Sequence, residues 1–274
     1  MMSKGSGNGS GNGSGGGGGT MNKVTSIGWS NASWNPLSGC RHGCQFTYCY
    51  NTNKANSVMN RFGSRYYDAA TKTFQRTKNW QSLQTPSRAL YVAVKGEIYP
   101  RGFDPTWYPH RLWQPKAVPE PKRVFVADVG DLFGSWIPDD WIQKVIEVMR
   151  VCDWHKFFLL TKNPIRYQDW RFPKNVWCGA TVTSNQDIQT LQIMQAVPHP
   201  NKFLSIEPLF GALTASLKGI RWVAIGAQTG GNPPIPNPIW VDDVVKEARK
   251  RHILIYLKEN LLRHYRGTVY QQTP

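Results

Sequence analysis

The chain has 274 residues with 40% hydrophobic and 18% charged side chains and a formal charge of +16. That apolar fraction fills a core and excludes global disorder, and the length accommodates one large α/β domain or two ordinary ones. No apolar run approaches the roughly 18 residues of a membrane-spanning helix, so no membrane association is expected. The first 20 residues hold 10 of the 25 glycines and no apolar segment, which excludes a secretory signal. Residues 3–20 read as a flexible Gly/Ser/Asn linker or tag, and Met21 reads as a natural start. The rest, 21–274, is expected to form a single domain carrying +15. Five cysteines, an odd number, with no signal segment point to a reducing, cytoplasmic setting rather than a disulfide framework.

A first strand is expected near Val24–Trp29. Directly after it comes the sharpest local signal, Ser38-Gly39-Cys40-Arg41-His42-Gly43-Cys44-Gln45-Phe46-Thr47-Tyr48-Cys49-Tyr50. Three thiols this dense in a reducing compartment suit a soft metal or an iron–sulfur cluster. A loop that gives three ligands to a four-iron cluster leaves one iron open for a substrate or cofactor. Zinc competes, with Cys40, His42, Cys44 and Cys49 as a tetrahedral set, and three unliganded cysteines are the bland alternative. Cys152 and Cys178 lie in apolar stretches and read as inert core residues.

Residues 54–123 carry 13 Lys/Arg against four acids, a charge of +9, with eleven aromatics interleaved, among them Tyr66, Tyr67, Phe74, Trp80, Trp107, Tyr108 and Trp113. Cations neutralise phosphates and flat rings stack on bases, so this insert is a candidate nucleic-acid surface. The competing reading is a structural subdomain packed on the mouth of the main fold.

From Arg123 on, strand and helix signals alternate. Strands are expected at Val124–Ala127, Phe157–Leu160, Val176–Thr183, Phe203–Ile206, Trp222–Ile225 and Ile253–Leu257. Helices are expected after Pro138-Asp139-Asp140, after a cap at Ser184 or Asn185, and from Val241 to Arg251. Strands separated by helices imply parallel pairing with right-handed crossovers. The expected fold is therefore α/β, a TIM-like partial (β/α) barrel; a doubly wound open sheet is the alternative, although the glycine fingerprint of a dinucleotide fold is missing. Barrel sites sit at the C-terminal strand ends. Each exit here is polar: Asp128 and Asp131; Thr161-Lys162-Asn163; Thr183-Ser184-Asn185; Glu207; Gln228-Thr229; and Lys258-Glu259-Asn260.

The cysteine loop resembles the radical S-adenosylmethionine signature, C-x-x-x-C-x-aromatic-C. The chain as a whole resembles an uncharacterised, phage-associated family of radical-SAM-like proteins. The resemblance is carried by Ala32-Ser33-Trp34-Asn35-Pro36, by Phe103-Asp104-Pro105-Thr106 and by Pro109-His110-Arg111-Leu112. It continues through Val129-Gly130-Asp131-Leu132-Phe133-Gly134, Leu160-Thr161-Lys162-Asn163-Pro164 and Ser205-Ile206-Glu207-Pro208-Leu209, and ends with Gly226-Ala227-Gln228-Thr229 and Leu257-Lys258-Glu259-Asn260-Leu261.

That resemblance implies a partial barrel of radical-SAM type. It implies a [4Fe–4S] cluster on Cys40, Cys44 and Cys49, S-adenosyl-L-methionine chelated to the open iron, an electron donor, and a 5′-deoxyadenosyl radical acting on a substrate the sequence does not identify. The last two cysteines are separated by four residues instead of two, so Tyr48, or else Phe46, takes the place of the aromatic that packs near the adenine. From chemistry and strand-end position, Asp128, Asp131 and Glu207 are candidates for the cofactor's ribose or amine, Lys162 and Lys258 for a carboxylate or phosphate, and Gln228 for the same rim. The opposing expectation is a metal-stapled nucleic-acid-binding protein without catalysis.

Overall fold

The structure is a computed structural model that describes residues 21, 27–44, 56–61, 63–79, 83, 89–229 and 234–274. Its main sheet has seven strands: β1 (Ala32–Trp34), β7 (Arg123–Val126), β8 (Lys156–Thr161), β9 (Val176–Thr181), β10 (Lys202–Ile206), β11 (Trp222–Ile225) and β12 (Leu254–Leu257). Every neighbouring pair is parallel, and the spatial order follows the chain order without reversal. A doubly wound sheet reverses its order at a switch point and carries helices on both faces. Among the described residues this sheet does neither. Helices α1 (Asp139–Val151), α2 (Ile188–Ala196) and α3 (Pro238–Lys250) bury their apolar sides in one cluster with Val124, Val126, Phe157, Leu159, Leu204, Ile206, Val223, Ile225 and Ile255. The opposite strand face carries Phe125, Phe158, Trp177, Phe203, Trp222 and Tyr256, which cluster with Ile27 and Trp29 and with no helix residue.

The sheet is curled into a half-barrel. Strands lie about 4.8 Å apart, so β7 and β11, four steps apart, would be separated by about 19 Å if the sheet were flat. Yet Phe125 of β7 and Trp222 of β11 each sit 5.2 Å from the Trp29 ring, as does Phe158 of β8. Trp29 therefore plugs the concave side. Phe203 leans across β9, where a Cβ on Gly179 would come within 2.2 Å of its ring, so only glycine fits there.

The six expected strands from 124 onward all form, within a residue or two of their predicted ends. Of the first expected strand, Val24–Trp29, the described part is not strand. Residues 24–26 lie outside the described part, Gly28 and Trp29 form a turn closed by Ser30 N–H donating to Ile27 O, and the sheet begins at Ala32. Ile27 and Trp29 are apolar because they fill the interior, not because they pair in the sheet.

Helix α1 begins where Pro138-Asp139-Asp140 predicts, and Ser184 accepts from Gln186 N before a short 3-10 turn leads into α2. Helix α3 starts three residues earlier than the apolar pattern suggests, because Asn237 caps it and Pro238 takes the first position, for which a missing N–H costs nothing.

The basic insert contains a two-stranded antiparallel ribbon, β3 (Ser64–Asp68) with β4 (Thr73–Thr77), and two short strands, β5 (Tyr91–Val92) and β6 (Thr106–Trp107). These last two form a small sheet with β2 (Leu37–Ser38). The insert is tied into the main core, since Trp107 stacks on Trp141 of α1 at 5.2 Å and Leu37 is fully buried beside it. Part of its aromatic content is thus core: Trp107 and Tyr108 are buried, whereas Tyr67, Phe74 and Trp113 are exposed. Trp80 lies outside the described residues.

Candidate functional site at the open end of the half-barrel

Alternation along the strands builds the cavity. Thr181, Ser205, Ala224 and Tyr256 stand in register on β9 to β12. Of these, the small Thr181 and Ser205 line the cavity together with Tyr256. A cavity of about 550 Å³ opens there, with Trp29, Phe125 and Leu160 at its base. Around its rim stand Asp131, Thr161, Lys162, Glu207, Gln228, Thr229, Lys258, Glu259, Asn260 and Arg263, together with Cys40, His42 and Cys44. An apolar base with a few convergent polar groups is the usual make-up of a small-molecule site.

Asp131 is the structural hub of the rim. Its Oδ2 accepts from His42 Nε2 at 2.6 Å, from Thr161 Oγ1 at 2.9 Å and from Lys162 N at 3.1 Å, and its Oδ1 accepts from Phe133 N at 2.9 Å. Both oxygens accept from protein donors, so Asp131 positions the rim. His42 is held edge-on against Trp136, with ring centroids 4.8 Å apart. On the far rim, Lys258 Nζ donates to Glu207 Oε2, and Asn260 Nδ2 donates to Ala227 O at 2.6 Å and reaches Glu207 Oε1 at 3.4 Å. Gly226 lies between these partners, just past the end of the intervening strand β11. A Cβ there would stand 2.9 Å from Glu207 Oε1 and 3.0 Å from Lys258 Cδ, so glycine lets the pair meet across it.

Of the residues singled out in the sequence, Asp131, Lys162, Glu207, Gln228 and Lys258 come together on this cavity with Cys40 and Cys44. Asp128 does not reach it. Its carboxylate is fully buried behind the rim and accepts from Asn35 Nδ2 at 2.6 Å. Tyr48 and Cys49 lie outside the described residues. One of the six strand exits serves local structure instead. The Thr183 backbone N–H and hydroxyl donate to Asp187, Ser184 caps the following turn, and Asn185 bonds Thr214. Sequence reasoning missed Thr181, Ser205 and Tyr256, although period-2 alternation from Trp177, Phe203 and Leu254 on the same strands finds them. Arg263 left no signal, since it follows the short helix α4 (Glu259–Leu262) beyond the last strand.

The cysteine loop is shaped by glycines with left-handed backbone, Gly39 at φ 91° and Gly43 at φ 64°. At Gly39 a Cβ would collide with the Asp104 backbone at 2.4 Å. This turn brings Cys40 and Cys44 to one wall of the cavity. Among the described residues no three His, Cys, Asp or Glu side chains converge into a metal-binding group, so Cys40, His42 and Cys44 do not by themselves form a zinc set. The donor chemistry fits a sulfur-ligated centre: two thiols face the cavity, and the neighbouring imidazole and carboxylate are bonded to each other. The remaining cysteines behave as the sequence suggests. Burial pushes the Cys152 thiol up and the Cys178 thiol well above the ordinary thiol value, so neither ionises readily.

Among the described residues no helix is long and apolar enough to cross a membrane. No curated protein and no solved structure matches the chain. A family described as "Protein of unknown function (DUF5131)" matches residues 24–261, which is most of the chain, and the protein belongs to that family.

Proposed function

We propose that the protein is a radical S-adenosylmethionine-type iron–sulfur enzyme working at the open end of the half-barrel. The observation that carries this reading is the meeting of Cys40 and Cys44 with polar residues from five strand exits around one cavity at the C-terminal ends of a curled parallel sheet. Cys40, Cys44 and Cys49 would hold the cluster. When bound and reduced by an external electron donor, cluster and S-adenosylmethionine supply a 5′-deoxyadenosyl radical and methionine.

The protein's part is to bind, orient and exclude water. Trp29, Phe125 and Leu160 give the cavity a dry base. Lys162 and Arg263 put cations on its rim for a carboxylate or phosphate, while the Glu207–Lys258 pair and Gln228 offer acceptors and donors for an amine or hydroxyls. Asp131 fixes the cysteine loop through His42 and the β8 exit through Thr161 and Lys162, so one carboxylate sets the spacing between the thiols and the cavity wall.

The test is anaerobic reconstitution with iron and sulfide. A loaded sample is brown, absorbs broadly near 400 nm, and with a strong reductant and S-adenosylmethionine releases 5′-deoxyadenosine. A triple Cys40/Cys44/Cys49→Ala variant loses the iron, whereas C152A and C178A retain it. Iron retained by the triple variant overturns the ligand assignment.

A second reading, a zinc-stapled protein without catalysis, draws on the His42–Asp131 hydrogen bond, because an imidazole that binds zinc through one nitrogen commonly donates its other N–H to a carboxylate. A colourless protein with about one zinc per chain selects it.

A further inference from the structure

We propose that the β3–β4 ribbon is a binding arm for single-stranded nucleic acid. In an antiparallel pair, residues opposite each other share a face. One face of this ribbon therefore carries Arg65 opposite Arg76, followed by Tyr67 opposite Phe74. Like charges placed directly opposite destabilise a ribbon in isolation. The facing pair concentrates positive charge on one face of the ribbon, and a phosphate chain laid across it is complementary to that charge. Residues 64–79 also include Lys72 and Lys78. Their one acid, Asp68, is turned inward on its own turn, where Oδ1 accepts from Ala70 N at 2.9 Å and Thr71 N at 3.4 Å.

The two rings choose between polyanions. Tyr67 and Phe74 are each 40% exposed, and they meet edge to face at 5.4 Å. The Arg65 guanidinium stands 4.5 Å over the Phe74 ring. Exposed rings flanked by guanidinium groups are a stacking platform for unpaired bases. In a duplex the base faces are covered, and an acidic peptide gives the rings nothing to stack on.

The ribbon is anchored beside the cysteine loop. Arg65 and Ile98 exchange backbone hydrogen bonds at 2.9 and 2.8 Å, and the buried Glu97 carboxylate accepts from Tyr67 N at 2.8 Å. Tyr99 and Phe103 then form a small core with Met59, against which Cys40 packs, and Cys40 N donates to Phe103 O. The ribbon and the cysteine loop are thus tied to one small core, and we extend the proposal to a nucleic acid as the substrate class. That last step rests on the iron–sulfur reading; the binding step does not.

Binding is measured on the full chain by fluorescence anisotropy with a labelled single-stranded oligonucleotide of mixed sequence, in DNA and RNA versions, over a salt series. R65Q/R76Q is expected to weaken binding and to make the slope of log affinity against log salt shallower by up to about 1.4, at about 0.7 per phosphate contact. Y67L/F74L is expected to weaken binding by roughly fivefold or more with the slope unchanged. K246Q/R249Q, which removes the same charge from exposed positions of α3, is expected to leave affinity as it is. Unchanged melting temperatures confirm that each variant folds. The proposal is overturned if the ribbon variants bind as the unmodified chain does, if the α3 variant loses as much, or if a blunt duplex or poly-glutamate binds more tightly than the strand. Iron content and absorbance read on the same samples belong to the cluster, so loss of that reading leaves the binding result standing.

Discussion

The two ends of the half-barrel are made by the same strands and differ in nearly everything else. At the N-terminal end, inward positions hold Phe158, Trp177, Phe203 and Trp222, packed around Trp29 with ring distances from 5.0 to 6.2 Å. Two to four residues further along, the inward positions become Thr181, Ser205, Glu207 and Lys258, and the interior opens into a cavity. Burial of large rings stabilises the first end, and hydrogen bonds centred on Asp131 and Glu207 organise the second. The molecule thus separates stability from the site along the strand axis, as barrels do.

That division is broken most directly by Trp222→Ala. Trp222 is fully buried, and its Nε1 donates to Gln272 O at 3.0 Å, tying the C-terminal segment to the aromatic end. The expected loss is about 3–5 kcal/mol. For a domain of this size that lowers Tm by roughly 6–20 °C, read by circular dichroism. A shift under about 2 °C, less than 1 kcal/mol on that scale, would mean that the aromatic end does not carry the fold.

Asp131→Asn tests the other end with a smaller effect. An amide leaves one of the two carboxylate oxygens replaced by a donor, which then faces other donors. Whichever way it turns, His42, Thr161, Lys162 or Phe133 loses an acceptor. A loss of about 2 kcal/mol is expected. The variant's reconstituted iron should also fall below that of W222A compared at equal folded fraction, because Asp131 holds the loop of Cys40 and Cys44. Equal iron in the two variants would show that the rim does not depend on this carboxylate.

The smallest effect sharpens the comparison through pH. His155 and His199 both lie at the N-terminal end, and burial holds both below the ordinary histidine value. His155 accepts at Nδ1 from Lys122 N at 3.1 Å and bonds Pro115 O through Nε2 at 3.0 Å, so the neutral ring satisfies both partners and a second proton has no place. A base whose folded pKa is depressed gives stability that is complete above its unfolded value of about 6.5 and is lost as pH falls toward the folded value. Tm is therefore expected to decline gently below about pH 6.5, and His155→Gln should flatten that decline while lowering Tm overall. An unchanged slope in the variant would assign the acid sensitivity elsewhere.

Much of this was legible in the sequence. Apolar runs of four to eight residues separated by amphipathic segments point to β7 to β12 and the helices between them, because period and burial are local properties of the chain. The strand exits follow from the same pattern, and five of the six do reach the cavity. What the pattern leaves open is direction and neighbourhood. An apolar Ile27 or Trp29 reads equally well as a strand or as a plug, and only the curvature that brings Phe125 and Trp222 to the same indole decides for the plug. Asp128 and Asp131 stand three residues apart with the same chemistry. One turns behind the rim to Asn35 and the other joins His42 and β8, because the backbone bends between them.

The amino-acid sequence by itself determined the alternation of strands and helices, the cysteine spacing, and the excess of basic residues, all set by neighbours along the chain. Tertiary structure alone decided which polar groups share a cavity, which are consumed in holding it, and that Arg65 faces Arg76 on one exposed ribbon face. These depend on sheet register, curvature and through-space pairing between residues as far apart as Glu207 and Lys258, which no local pattern encodes.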